Sequence, residues 1–380
     1  MKRLVSFVVA ALLLFSALPF GAVAVDLQTE GKSAVLMDGA TGTVLYEKDA
    51  HKALAPASVT KVMTLLLVME AIDSGKIGWS DSVTASEAAA EKGGSQIYLK
   101  VGETMPVADM IKAIAVSSAN DCACAMAEHI AGSESAFVEL MNKRAKELGM
   151  QDTNFVNCTG LDDAAEAKNH LTSAYDIALM SRELLVNHPD IKKYTTIWMD
   201  TVRGGTFGLS NTNKMVRFYN GCTGLKTGFT SGAGYCLSAS AERDGTELIA
   251  VVMGAETSAK RFAACKSMLD YGFANYCVYR PEVADGTVAV KMGKERQVRA
   301  VPAVYEPILL EKSQRDSVTT EVILEPEVSA PVSKGQRLGT ATVKAGDKTL
   351  AQIPLVAEAP VERLSFWDIF MQLLKKASGN

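Results

Sequence analysis

An α+β fold is predicted for this chain: one sheet together with helices, then a small all-β domain and a last amphipathic helix. Three observations predict it. Apolar β runs stand at both ends of the first 280 residues with helical patterns between them, so one sheet is assembled from distant parts of the chain. A helix beginning near residue 58 is apolar nearly all round, the mark of a helix buried in a core. Past Pro281 the pattern shifts to short alternating runs broken by glycine turns.

The whole chain sets bounds on these elements. Its 380 residues have room for two domains, and 48% hydrophobic with 22% charged residues is an ordinary globular composition. A formal charge of −4, with no basic run beyond Met1-Lys2-Arg3 and Lys375-Lys376, gives no reason to expect a nucleic-acid partner. Lys2 and Arg3 precede an almost wholly apolar stretch from Leu4 to Phe20, and Ala22-Val23-Ala24 supplies a small-x-small cleavage site. Residues 1–24 are therefore read as a signal peptide and set apart from the fold. The seven cysteines are an odd set with no disulfide framework, and most are read as small buried apolar residues. The four histidines are scattered, and no pair has metal-ligand spacing, so neither a metal nor a cofactor is expected.

Along the mature chain, residues 33–49 read as a β-hairpin turning at Gly39-Ala40-Thr41-Gly42. Residues 58–72 form the buried helix, too short for a membrane span. Residues 80–200 are mostly helical, clearest over 107–131, 134–148 and 173–186. Residues 234–255 return to β, two strands flanking an Arg243-Asp244-Gly245 turn, and residues 259–276 form a closing helix. The domains are thus 25–280, an all-β unit over 281–360, and a tail over 361–380. In the tail Phe366, Trp367, Phe370, Leu373 and Leu374 lie opposite a stripe of Ser365, Asp368, Gln372, Lys375 and Lys376.

Ser58-Val59-Thr60-Lys61 opens the buried helix. A serine hydroxyl is a poor nucleophile until a base takes its proton. A lysine three residues on lies one turn along the same face, and an apolar setting disfavours its ammonium form. Backbone N–H groups at the helix start favour developing negative charge. By itself the pattern equally describes an N-cap serine with a surface lysine. Ser118-Ala119-Asn120 follows an apolar stretch. Its hydroxyl can relay a proton, and its amide can hold the lysine or bind a peptide carbonyl, though such residues also cap helices. Lys226-Thr227-Gly228 precedes the second hairpin. On an edge strand it can hold a carboxylate, its glycine permitting close approach, although a plain turn fits too. Ser118 lies 60 residues after Ser58, and Lys226 lies 108 after Ser118. The ordered set S-x-x-K, S-x-N, K-T-G points to acyl-serine chemistry.

With these motifs the sequence resembles the low-molecular-weight penicillin-binding proteins, D-alanyl-D-alanine carboxypeptidases, which implies a β-lactamase/transpeptidase-like domain with an antiparallel sheet and helices on both faces. The resemblance runs from about Ser33 to the C-terminus. It includes Asn154-Phe155-Val156-Asn157-Cys158-Thr159-Gly160-Leu161, Gly232-Ala233-Gly234-Tyr235 and Arg261-Phe262. It implies Ser58 as nucleophile, Lys61 as general base, and Ser118 and Asn120 as proton shuttle and substrate support. It implies Lys226, Thr227, Gly228 and Arg261 around the substrate carboxylate, and the N–H groups of Ser58 and Phe229 as an oxyanion hole. Phe229 stands where some relatives carry histidine. The implied substrate is the peptidoglycan stem pentapeptide, with β-lactams as acylating inhibitors. The implied place is the outer face of the bacterial cytoplasmic membrane, the tail lying on its surface; a tail packed on the β domain is the alternative. A class A β-lactamase would need an E-x-x-L-N glutamate, and the nearest approach, Glu183-Leu184-Leu185-Val186-Asn187, departs from it. A transpeptidase differs only in the acceptor, and a non-catalytic peptidoglycan-binding protein needs none of the three motifs.

Overall fold

The computed structural model describes residue 27, residues 29–163 and residues 165–377. The signal peptide expected over residues 1–24 lies outside them, as do the side chains of Lys375 and Lys376. Strands β1 (Ser33–Asp38) and β2 (Val44–Lys48) form the first hairpin; β3 (Cys222–Thr230), β4 (Gly234–Arg243) and β5 (Thr246–Ala255) form a meander. They join in one antiparallel sheet of order β2-β1-β5-β4-β3, with Val35 opposite Val251. The sheet is closed by residues more than two hundred positions apart, as the apolar runs at both ends require.

Both faces are covered, which is why β1 and β5 are apolar at nearly every position. Val35, Met37, Ile249, Val251 and Met253 face the larger core. That core also takes in α1 (Lys61–Asp73), α3 (Asn120–Ala131), α4 (Glu134–Glu147) and α5 (Ala174–Asn187). Alternate residues Ala34, Leu36, Leu248, Ala250 and Val252 face α6 (Ser258–Asn275) through Cys265, Met268 and Leu269. Asp244 and Gly245, both at positive φ, make the tight turn between β4 and β5.

The continuous helix expected over 107–131 is broken. Helix α2 (Val107–Ser117) ends at Ser118, whose φ of 63° is left-handed, and α3 restarts at Asn120. Periodicity carried straight across because the apolar stripe resumes after the break. Six of the seven cysteines are buried and all seven are free thiols; Cys222 is half-buried.

Beyond α6, Tyr276–Tyr279 pairs with Ile308–Glu311, and Leu309 packs into the α6 core. A six-stranded sheet follows, filled by Val288, Val290, Val298, Leu338 and Leu355 on one side and Ala341, Val343 and Ile353 on the other. The last helix, α7 (Phe366–Ala377), exposes Phe366, Trp367, Met371 and Leu373, each by more than half, rather than packing them on this sheet. No helix among the described residues is long and apolar enough to cross a membrane.

Candidate active site

Ser58 sits in a single 3-10 turn, Ala57–Thr60, that leads into α1, one turn before the α-helix proper. Lys61 is the first residue of α1 and is fully buried. Its Nζ donates to Ser58 Oγ at 3.0 Å and to the Thr159 carbonyl at 2.8 Å. Burial lowers Lys61 to about 7, against the opposing charge of Asp121. A substantial share of this lysine is neutral near pH 7. With one N–H committed to Thr159, a neutral Nζ can turn its lone pair toward Ser58.

The loop carrying Thr159 is shaped by Asn157, whose Oδ1 accepts from the N–H groups of Thr159 at 3.1 Å and Gly160 at 2.7 Å. Gly160, at φ 82°, lies so close to the Ser58 turn that a Cβ there would stand 1.8 Å from the Ala57 carbonyl oxygen. Only glycine fits. Sequence reading placed this stretch in the resemblance but gave Thr159 and Gly160 no role.

The turn between α2 and α3 brings up the second motif. Ser118 is nearly fully buried, and its hydroxyl makes no hydrogen bond among the described residues. Asn120 Nδ2 donates to the Gly93 carbonyl at 2.7 Å, while its buried Oδ1 has no partner. A buried amide oxygen left unpaired costs about 1–3 kcal/mol, and such groups persist where a ligand completes them. The hold on Lys61 expected of Asn120 comes instead from Thr159. Asp121 accepts from the N–H groups of Ile97 at 3.1 Å, Leu99 at 3.0 Å and Cys122 at 2.9 Å, fixing the preceding loop against α3.

The third motif lies on β3, an edge strand as expected. Gly228 abuts the Ser58 turn: a Cβ there would meet the Pro56 carbonyl oxygen at 2.6 Å and the Ser58 nitrogen at 3.0 Å. The close approach its glycine permits is thus first of all between β3 and Ser58. Lys226 is buried, its Nζ donating to the Thr227 carbonyl at 2.9 Å. Burial, then the charges of Lys61 and Arg261, push Lys226 well below the usual lysine range. Thr227 donates to Thr212 Oγ1 at 2.7 Å, and the Thr212 N–H donates to the Val116 carbonyl at 3.1 Å, lacing β3 to the end of α2. Sequence reading gave Thr212 no role, and nothing in the local string Ser210-Asn211-Thr212-Asn213 shows which strand it meets.

Arg261, on α6, donates from NH1 to the Gly228 carbonyl at 2.8 Å and the Cys236 carbonyl at 3.2 Å, and its Nε is buried without a partner. It braces β3 against β4. Phe229 is half exposed and its ring lies 4.3 Å from that of Tyr235.

Away from this cleft, Glu70, Glu183 and His188 gather from distant helices, which histidine spacing could not show. Arg144 bridges the two carboxylates, donating at 2.6 Å to each and offsetting one of their two charges. Glu183 is thereby committed to an ion pair with Arg144.

Comparison with known proteins agrees with this geometry. The family model described as D-alanyl-D-alanine carboxypeptidase matches residues 21–257, and the one described as penicillin-binding protein 5, C-terminal domain, matches residues 278–363. The D-alanyl-D-alanine carboxypeptidase DacF of Bacillus subtilis is 42% identical, with 100% of this chain and 99% of that protein covered. The crystal structure of penicillin binding protein 5 from Haemophilus influenzae superposes with a TM-score of 0.74 at 31% identity, over 88% of this chain and 98% of that one. Penicillin-binding protein D2 of Listeria monocytogenes in its ampicillin-bound form superposes with a TM-score of 0.60 at 33% identity, over 66% of this chain and all of that one. A family match over more than half of the chain, together with a relative of this identity along its full length, leaves one conclusion: the chain belongs to the D-alanyl-D-alanine carboxypeptidase family.

Proposed function

We propose that Ser58 is the nucleophile of a carboxypeptidase that removes the terminal D-alanine from peptidoglycan stem pentapeptides. The observation that carries this is a fully buried lysine, lowered to about 7, with its Nζ 3.0 Å from the serine oxygen. Neutral Lys61 takes the Ser58 proton as Oγ attacks the carbonyl carbon between the two D-alanines. The N–H groups of Ser58 and Phe229 receive the negative charge forming on the carbonyl oxygen. When the C–N bond breaks, Ser118 relays the proton from Lys61 to the leaving amine. Water then attacks the acyl-serine, giving its proton back to Lys61, and the tetrapeptide leaves on regeneration of Ser58 Oγ–H.

Substrate binding fits the same residues. Thr227 and Lys226 hold the terminal carboxylate, with Arg261 adding positive charge behind them, and Gly228 leaves room for substrate backbone. The half-free amide of Asn120 completes its hydrogen bonds on the peptide. β-Lactams acylate the same serine, as the ampicillin-bound Listeria relative makes natural. The same motifs would serve a transpeptidase with an amine as acceptor.

Residues 1–24 direct export and are removed, which leaves residues 25–280 as catalytic domain and 281–360 as β domain on the outer face of the cytoplasmic membrane. The exposed Phe366, Trp367, Phe370 and Leu373 lie in its interface. Mass spectrometry of a pentapeptide substrate is expected to show loss of one D-alanine to water. Ser58→Ala should abolish both that loss and labelling by a fluorescent penicillin; continued release of D-alanine would remove Ser58 from the mechanism. Deleting residues 364–380 should move the protein from the membrane to the soluble fraction.

A further inference from the structure

The turn that presents Ser58 rests on a polar support that the mechanism above does not use. Ala57 has φ 48°, in the left-handed region that a residue with a Cβ seldom adopts unless its surroundings enforce it. Its carbonyl oxygen accepts the Thr60 hydroxyl proton at 2.8 Å. Thr60 Oγ1 lies 2.7 Å from His170 Nε2, and His170 Nδ1 accepts from the Val156 N–H at 3.1 Å.

These contacts fix every proton in the chain. The Val156 N–H can only donate, so Nδ1 is the bare nitrogen and Nε2 carries the hydrogen. Nε2–H then donates to Thr60 Oγ1, whose own proton is left for the Ala57 carbonyl. Thr60 and His170 are both buried, and the Phe155 ring stands edge-on 5.6 Å from the imidazole, so water does not compete for these bonds. Gly160 closes on the same carbonyl oxygen from its own loop. The peptide that begins with this carbonyl ends at the Ser58 N–H. Whatever aims the Ala57 carbonyl therefore also aims the Ser58 nitrogen.

We propose that His170 is a positioning residue for acylation: its neutral imidazole, acting through Thr60, holds the Ala57–Ser58 peptide so that Ser58 Oγ and N–H meet the substrate carbonyl together. The inference rests on Ser58 being the nucleophile. Burial, and then the charge of Lys61, lowers His170 to about 4, so the required neutral tautomer persists through the working range of an enzyme near pH 7.

The test is single-turnover acylation of the full chain by a fluorescent penicillin, with endpoint labelling counting the intact sites. Thr60→Val removes the hydroxyl at nearly constant shape, whereas Thr60→Ser keeps it. His170→Asn loses the donor to Thr60, whereas His170→Gln can restore a donor at the Nε2 position. Thr60→Val and His170→Asn are expected to slow acylation by about 10- to 100-fold at undiminished endpoint labelling. The double variant should be no slower than the worse single one, and Thr60→Ser and His170→Gln should recover most of the rate. A normal acylation rate in Thr60→Val and His170→Asn, with only a lower Tm or fewer labelled sites, would overturn the proposal and leave the pair a purely structural support. Should His170→Asn fail to fold, the comparison of Thr60→Val with Thr60→Ser decides alone. Labelling that survives Ser58→Ala would instead refute the assignment of the nucleophile.

Discussion

The catalytic unit and the appended β unit bury very different interiors. Between Ser33 and Arg261 the core encloses Lys61, Asn120, Asp121, His170, Lys226 and Arg261, with Asn120 Oδ1 and Arg261 Nε left unpaired. Among the described residues no polar or charged side chain beyond Arg261 is buried. The β unit is filled by Val, Ala, Leu and Ile, and its ion pairs, such as Lys344 with Glu321 and Arg299 with Glu358, sit at the surface. Buried polar groups cost stability unless they are satisfied, so their concentration in one unit marks where structure has been given over to chemistry. The other unit follows packing alone.

The sharpest way to break this contrast is Lys61→Met. Removing the proposed base should slow penicillin acylation by about 10³-fold, while sparing the chain a buried amine should raise its stability, read as a higher Tm at pH 7. The pH dependence follows with its sign. Lys61 titrates near 7 in the fold but near its ordinary 10.5 when unfolded. Acylation by the natural chain should therefore fall about tenfold per unit below pH 7. Between about 7 and 10.5 the unfolded chain holds the extra proton, so this group makes stability rise with pH, a rise that Lys61→Met should remove. An acylation rate that stays flat below pH 7 would show that loss of a neutral Lys61 does not limit acylation.

Next in size is Asp121→Ala. It leaves the N–H groups of Ile97, Leu99 and Cys122 without their acceptor, for a loss of about 3 kcal/mol in denaturant unfolding. Smallest is Lys344→Ala on the β unit. It should cost less than about 1 kcal/mol and leave acylation unaltered, because that pair is largely in water. A slowed acylation there would mean that the two units are coupled and that the contrast between them is too simple.

The three motifs were legible because each is a short local string whose chemistry needs those residue types. The first hairpin, the buried helix, the second hairpin and the closing helix were legible from periodicity and turn residues, whereas Lys226 fitted an edge strand or a plain turn equally. The break at Ser118 was not, since a single left-handed residue leaves the apolar stripe on both sides intact. Nor was the 3-10 form of the Ser58 turn, which depends on Gly160 and Gly228 pressing in from remote segments.

By itself the sequence determined the class of fold, the family, and the residue types from which an acyl-serine site is made. Only the tertiary structure decided what holds them. It gave Lys61 to the Thr159 carbonyl, tied Arg261 to the backbone of β3 and β4, and placed His170 beneath the nucleophile turn. The physical reason is that a motif is fixed by neighbours along the chain. Burial, tautomer and a lowered lysine are fixed by neighbours in space, here about a hundred residues away in sequence.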